Sequence, residues 1–192
     1  MSVNRRKQIL DAATQSFALF GYKATTMDQV AKIARVGKGT IYTFFTNKEE
    51  LFDEIIQQVI LEMKDIADGE VREDRSFFDN LYRVLDRGLE FRSRHELALK
   101  LSQEVRDFGT PMANEGLSKI EGELLHYIEH HIQHAMDKGE IKQGHARVLS
   151  FEMYHLYKAL TTEWNKRYEP LPKEEIKEHF YQLFMHGIAA DA

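Results

Sequence analysis

No proline occurs before residue 111, and the three prolines of the chain stand at 111, 170 and 172. Every backbone N–H of the long proline-free stretch is free to join a helical ladder. Its apolar residues return at spacings of three and four rather than two. No strand-like alternation lasts more than a few residues, so the expected class is all-α. The periodicity and its stop signals place helices near 5–20, 27–34, 38–45, 48–67, 76–93, 95–108, 111–138, 145–168 and 173–189.

Local chemistry marks several of these ends. Ile9, Leu10, Ala13, Phe17 and Phe20 share one side of the first helix, and Gly21 is its expected left-handed stop. Thr26-Met-Asp-Gln29 reads as a capping box that opens the second helix, with Met27, Val30, Ala31 and Ala34 facing inward. Asn47-Lys-Glu-Glu50 reads as a second box, opening the fourth helix. Pro111 suits a first helical position, and Lys138-Gly139 is a basic last turn followed by a glycine stop.

Composition excludes several classes of function. There is no cysteine, hence no disulfide framework or thiolate metal site. No apolar run approaches the roughly 20 residues that span a bilayer, and the basic start M-S-V-N-R-R-K has no apolar segment behind it. A cytoplasmic protein without a membrane partner is expected. The net charge of −5 hides a division. Residues 1–50 hold eight basic and four acidic residues, a net of +4, and the remainder holds 18 and 27, a net of −9. Either surface charge has clustered by chance, or a polyanion meets the head alone.

Residues 37–45, G-K-G-T-I-Y-T-F-F, decide between two uses of glycine and lysine. A phosphate-cradling P-loop requires glycine at position 32, where Lys32 stands, and a strand leading in, where a helix is expected. The dinucleotide fingerprint fails at Tyr42, the place of its third glycine. Two short helices joined by a tight turn fit instead, the second being shaped for a major groove. Gly39 keeps no side chain between its backbone and DNA. Lys38 supplies charge, Thr40 and Thr43 share a face that reaches base edges, and Tyr42 offers a hydroxyl to phosphate. Ile41 and Phe45 are the inward anchors, and Lys48 stands at a helix N-terminus suited to a phosphate. A plain three-helix bundle that touches no DNA is the alternative for the same residues.

From Thr25 to Phe52 the chain reads T-T-M-D-Q-V-A-K-I-A-R-V-G-K-G-T-I-Y-T-F-F-T-N-K-E-E-L-F. In order and spacing this resembles the DNA-binding domain of the TetR family of transcriptional repressors, over roughly residues 5–55. The resemblance implies that Thr26, Lys38, Thr40, Tyr42 and Lys48 touch DNA and that Thr43 reads bases. It implies a DNA-reading head over 1–48 and a helical effector-binding and dimerisation domain over 49–192. Two departures stand out: Arg35 where the family has glycine, and Gly37 where it has serine. The glycine that supplies a positive φ is therefore expected to have shifted, and the capping hydroxyl of the third helix to be missing. Phe44 also replaces a residue that is often polar.

In the body, Leu149, Met153, Leu156, Leu160 and Trp164 form one stripe, with Tyr157 beside it. Ile176, Phe180, Leu183, Phe184 and Ile188 form another. Each is either internal core or half of a four-helix interface between two copies. A homodimer is expected on another ground: a palindromic operator needs two recognition helices about 34 Å apart. Phe91, Phe108, Met112, Tyr127, His131, Met136 and Tyr154 are either ordinary core or the lining of a pocket for a lipophilic or aromatic effector. No cofactor is expected. The alternative function is a metal-dependent helical bundle, di-iron-like enzyme or metal sensor, built on two Glu-x-x-His pairs, Glu123 with His126 and Glu152 with His155. His126, His130 and His134 share one polar face, which fits plain solvation equally well.

Overall fold

The computed structural model describes residues 2–94 and 96–188. Its regular elements are the helices α1 (Ser2–Ala24), α2 (Met27–Ile33), α3 (Lys38–Tyr42), α4 (Lys48–Glu70), α5 (Phe77–Arg94), α6 (Glu96–Phe108), α7 (Pro111–Asp137), α8 (Ala146–Lys158) and α9 (Lys173–Ile188). The all-α expectation holds. Among the described residues, no helix is long and apolar enough to cross a membrane.

Most ends follow from the residues that mark them. Thr26 accepts from the Gln29 N–H at 3.2 Å while the Gln29 side chain accepts from the Thr26 N–H at 2.9 Å, a complete capping box. At α4, Asn47 accepts from the Glu50 N–H at 2.7 Å, but the Glu50 carboxylate reaches back one residue further, to the Thr46 N–H at 2.6 Å. Ser76 and Asp79 exchange bonds at the start of α5. Gly139, at φ 73°, closes α7 in a Schellman turn, its N–H bonding Met136 and that of Glu140 bonding Ala135, each at 3.0 Å.

Two expected helices differ. Gly21 does not stop α1; it breaks it at φ 82°, ψ 174°, and helical structure resumes as far as Ala24. The break turns Phe20 outward, 49% exposed, and Tyr22 takes the core place. The eighth helix is α-helical only to Lys158, then passes through a π turn (Ala159–Glu163) and a 3₁₀ turn (Trp164–Lys166). There Thr161 donates to the Tyr157 carbonyl at 2.7 Å and Asn165 to that of Thr161 at 3.1 Å, side-chain competition that loosens the ladder.

The chain packs as two compact units, Met1–Glu62 with Arg92–Glu121, and Met63–Phe91 with Gly122–Ala192. In the first, Phe17, Tyr22 and Phe52 pack ring to ring, with centroids 4.8–5.8 Å apart. Ile9, Val30, Ile41, Phe45, Ile55, Ile56 and Leu101 complete a buried core around them. Gly116 of α7 lies so close to α4 that a Cβ there would stand 2.9 Å from the Phe52 ring and 3.2 Å from Ile56.

In the second unit, Phe78, Leu85 and Leu89 meet Ile132, Met136, Met153, Ile176, Phe180 and Phe184. Most of the two apolar stripes is thus internal core, whereas Leu183 is 58% exposed and the Ile188 side chain lies outside the described residues. Lys177 is drawn into this unit by Asp86, at 2.6 Å, and by Glu174, at 2.7 Å, its ammonium 4.4 Å from the Tyr82 ring centroid. Burial alone would lower its pKa; the bonds to Asp86, Glu174 and Tyr82 outweigh that and hold it above the ordinary lysine value.

Candidate nucleic-acid interface

The turn between α2 and α3 is a Schellman motif in which Arg35 takes the left-handed position, at φ 53°. Its N–H bonds the Lys32 carbonyl at 3.1 Å, and the Val36 N–H bonds that of Ala31 at 3.0 Å. The positive φ has therefore not shifted to a glycine. Gly37, at φ −67° and ψ 149°, is an extended N-cap that many residues would fit, and α3 carries no side-chain cap. The family's serine would have supplied that cap.

Below the turn, Ile41 and Phe45 are 0% and 1% exposed. Side chains of this size each stabilise by roughly 1.5–3 kcal/mol when buried. The two anchors fix α3 with its other side outward: Lys38, Gly39, Tyr42 and Thr43 are exposed and Thr40 is half-buried. A Cβ at Gly39 would meet nothing within 4 Å, so packing within the protein does not demand glycine there. Lys38 donates to Asp28 at 3.0 Å, and that bond raises its pKa above the ordinary value. The Thr43 hydroxyl donates to the Thr40 carbonyl at 2.7 Å, and that of Thr26 belongs to its capping box.

Lys48 is half-buried at the start of α4. Its ammonium donates at 3.0 Å to the carbonyls of both Tyr22 and Thr25 and lies 4.2 Å from the Tyr22 ring centroid. Burial, and then the hydrogen bond from its hydroxyl to Glu49 at 2.8 Å, raise the Tyr22 pKa. Two supporting residues escaped the sequence reading. Gln8 donates to the Ala34 carbonyl at 2.8 Å, fastening α1 to the end of α2. Arg6 pairs with Glu54, its guanidinium 5.0 Å from the Phe45 ring centroid. These partners are 26 and 48 residues away, beyond any local motif.

Of the residues expected at an effector pocket, five belong to the second unit and two to the first. Tyr127 and His131 do meet, ring centroids 4.5 Å apart, and the Tyr127 hydroxyl donates to Asp68 at 2.7 Å. Burial, then Asp68, raise the Tyr127 pKa; burial, then His130, lower that of His131. Phe91 and Tyr154 are half-buried in the same unit, and Met136 belongs to its core. Phe108 and Met112 belong to the other unit, where Phe108 is 69% exposed with the Lys23 ammonium 5.2 Å from its ring centroid. An open recess of about 590 Å³ in the second unit is lined by Arg75, Asp79, Tyr82, Arg83, Glu178 and Tyr181.

The metal-bundle alternative is not supported. Among the described residues, no three His, Asp or Glu side chains converge as ligands. Glu123 is paired with Lys64 at 2.6 Å. His155 stacks on Phe151 at 3.8 Å, and its Nδ1 lies 3.0 Å from the Phe151 carbonyl. Glu152 and His126 are exposed. The two Glu-x-x-His pairs have other partners or face solvent.

Residues 9–55 match the family described as bacterial regulatory proteins, tetR family. Over its full length and all of the relative, the chain is 46% identical to the uncharacterised HTH-type transcriptional regulator YhgD of Bacillus subtilis. The chain belongs to the TetR family of transcriptional regulators. A more distant relative of this TetR-family protein is the fatty acid metabolism regulator protein of Bacillus subtilis, 25% identical over 71% of each chain. The fold of the present chain is shared with the fatty acid degradation regulator FadR of Bacillus halodurans, at a TM-score of 0.75 and 21% identity over 95% of each chain. As a member of this family the protein is a DNA-binding transcriptional regulator.

Proposed function

We propose that this regulator is a cytoplasmic homodimeric repressor that leaves its operator when a lipophilic effector binds, and that it catalyses no reaction. The observation that carries the reading is α3, pinned by Ile41 and Phe45 so that Lys38, Tyr42 and Thr43 face out. Residues 1–48 form the DNA-reading part and 49–192 the sensing and dimerising part. Lys38 and Tyr42 bind phosphate oxygens, Thr40 and Thr43 meet base edges, and Gly39 lets the backbone approach. Thr26 fixes the start of α2 beside the phosphates. Lys48 uses two of its three donors on the Tyr22 and Thr25 carbonyls, and its third serves a phosphate.

The names of two relatives, regulators of fatty acid metabolism and degradation, favour an acyl-chain effector. Phe91, Tyr127, His131 and Tyr154, which share the second unit, are the residues assigned to it. The exposed Val148, Phe151 and Leu183 on α8 and α9 support pairing of two copies through those helices. Effector binding then favours a dimer in which α4 has swung and the recognition helices no longer match the half-site spacing.

The test is selection of a duplex from a random-sequence library, followed by anisotropy titration at several salt concentrations. A palindromic selected site, with log affinity falling linearly in log salt, is the expected result. Failure to enrich any duplex over random DNA would refute the proposal.

A further inference from the structure

The break in α1 and the helix end just beyond it leave backbone groups without helical partners. The Lys23 N–H donates to Glu104 Oε1 of α6 at 2.9 Å. The Tyr22 and Thr25 carbonyls each accept from Lys48 of α4 at 3.0 Å. Thr25 is closed further by its hydroxyl, 3.1 Å from that of Ser16. The next residue is Thr26, whose box opens α2. Helices α2 and α3 are therefore hung from a short segment, Gly21–Thr25, whose main chain is gripped by side chains of α4 and α6.

The grip from α6 is built around the absence of one methyl group. Glu104 is 5% exposed, and its Oε2 fills the space that a Cβ at Gly21 would occupy. Lys100 Cε lies 3.7 Å from the same point, and the Phe108 ring lies under the Lys23 ammonium. Lys100, Glu104 and Phe108 are four residues apart, so one face of α6 addresses Gly21–Lys23. A buried carboxylate is costly unless its hydrogen bonds are kept, which ties the placement of the Lys23 amide to that of α6.

We infer that Glu104 is a positioning residue for operator binding: through the Lys23 amide it holds the Gly21 break, and with it α2 and α3, in the arrangement that fits DNA. It touches no DNA itself. A shift of α6 that draws Glu104 away releases the segment and depopulates the binding arrangement without altering a DNA contact. The inference rests on the operator reading above and adds α6 to the elements that govern it.

The experiment uses the full chain and the duplex selected by the unaltered protein. Circular dichroism establishes that each variant is folded at the titration temperature. Glu104→Ala is expected to weaken binding by about tenfold or more. Its slope of log affinity against log salt stays unchanged, because no phosphate contact is lost. Glu104→Gln, which keeps an acceptor for the amide, should bind within about threefold of the unaltered protein. Hydrogen exchange at the Lys23 amide should accelerate in the alanine variant and stay slow in the glutamine variant. Should Glu104→Ala not fold, Glu104→Asp, one methylene short of the amide, takes its place with the same expected outcomes. Binding by the folded Ala or Asp variant equal to that of the unaltered protein would overturn the inference. So would a glutamine variant as weak as alanine, or a salt slope that falls. If the unaltered protein selects no duplex, the operator reading fails first and takes the inference with it.

Discussion

Replacing Arg35 by glycine should stabilise the protein, although arginine is larger and charged. Arg35 sits at φ 53° because the bonds from its own N–H and that of Val36 close the turn only with a left-handed residue between them. That conformation costs a non-glycine residue roughly 1–2 kcal/mol. Glycine escapes the cost, but its freer unfolded chain gives back about 0.4–1 kcal/mol. The difference leaves a gain of about 0.8 kcal/mol, near 2–3 °C in melting temperature for a chain of this size. Arg35→Ala separates backbone from charge: it removes the same guanidinium but keeps the Cβ, and should show no rise. Thermal unfolding by circular dichroism at one protein concentration reads both. A glycine variant that melts no higher than the alanine variant would refute the argument from φ.

Gly116→Ala should lower stability by about 1–3 kcal/mol through overpacking against Phe52 and Ile56, seen as a lower melting temperature. Lys38→Ala should reduce the salt slope of DNA binding by about 0.9, whereas Thr43→Ala should change the ranking of selected sequences more than the affinity; titrations with selected and random duplexes check both. Asp86→Asn should destabilise by about 2 kcal/mol, since it weakens the bond that holds the buried Lys177 ammonium. Burial opposes ionisation of Asp86, but Lys173 and Lys177 outweigh it and depress its pKa. Its contribution is accordingly complete above about pH 4 and lost as pH falls through the lower folded value, so the Asp86→Asn deficit in melting temperature should shrink under acid.

How much of this was legible in the sequence depended on range. The head was readable because its devices are local: the Thr26–Gln29 box, the Ile41 and Phe45 anchors, and the tight turn each span only a few residues. One local difference concerns Arg35. Sequence rules place a positive φ at glycine, but two backbone bonds hold arginine there. Phe20 faces outward because the break at Gly21 resets the helical phase that places it inward. The body was harder. Stripes on α8 and α9 were visible, yet whether such a stripe meets its own chain or a second copy is decided by elements far away. Lys177 and Asp86, 91 residues apart, and Lys23 and Glu104, 81 apart, left no pattern that periodicity detects.

The near-touching of α4 and α7 at Gly116 constrains motion as well as packing. With no side chain interposed, the two rods meet almost main chain to aromatic ring, and sliding one along the other would drive the glycine notch off Phe52 and onto bulkier neighbours. Pivoting about the notch keeps it filled. By this geometry the crossing should act as a bearing, yielding to rotation before translation, and a single added methyl group should jam it.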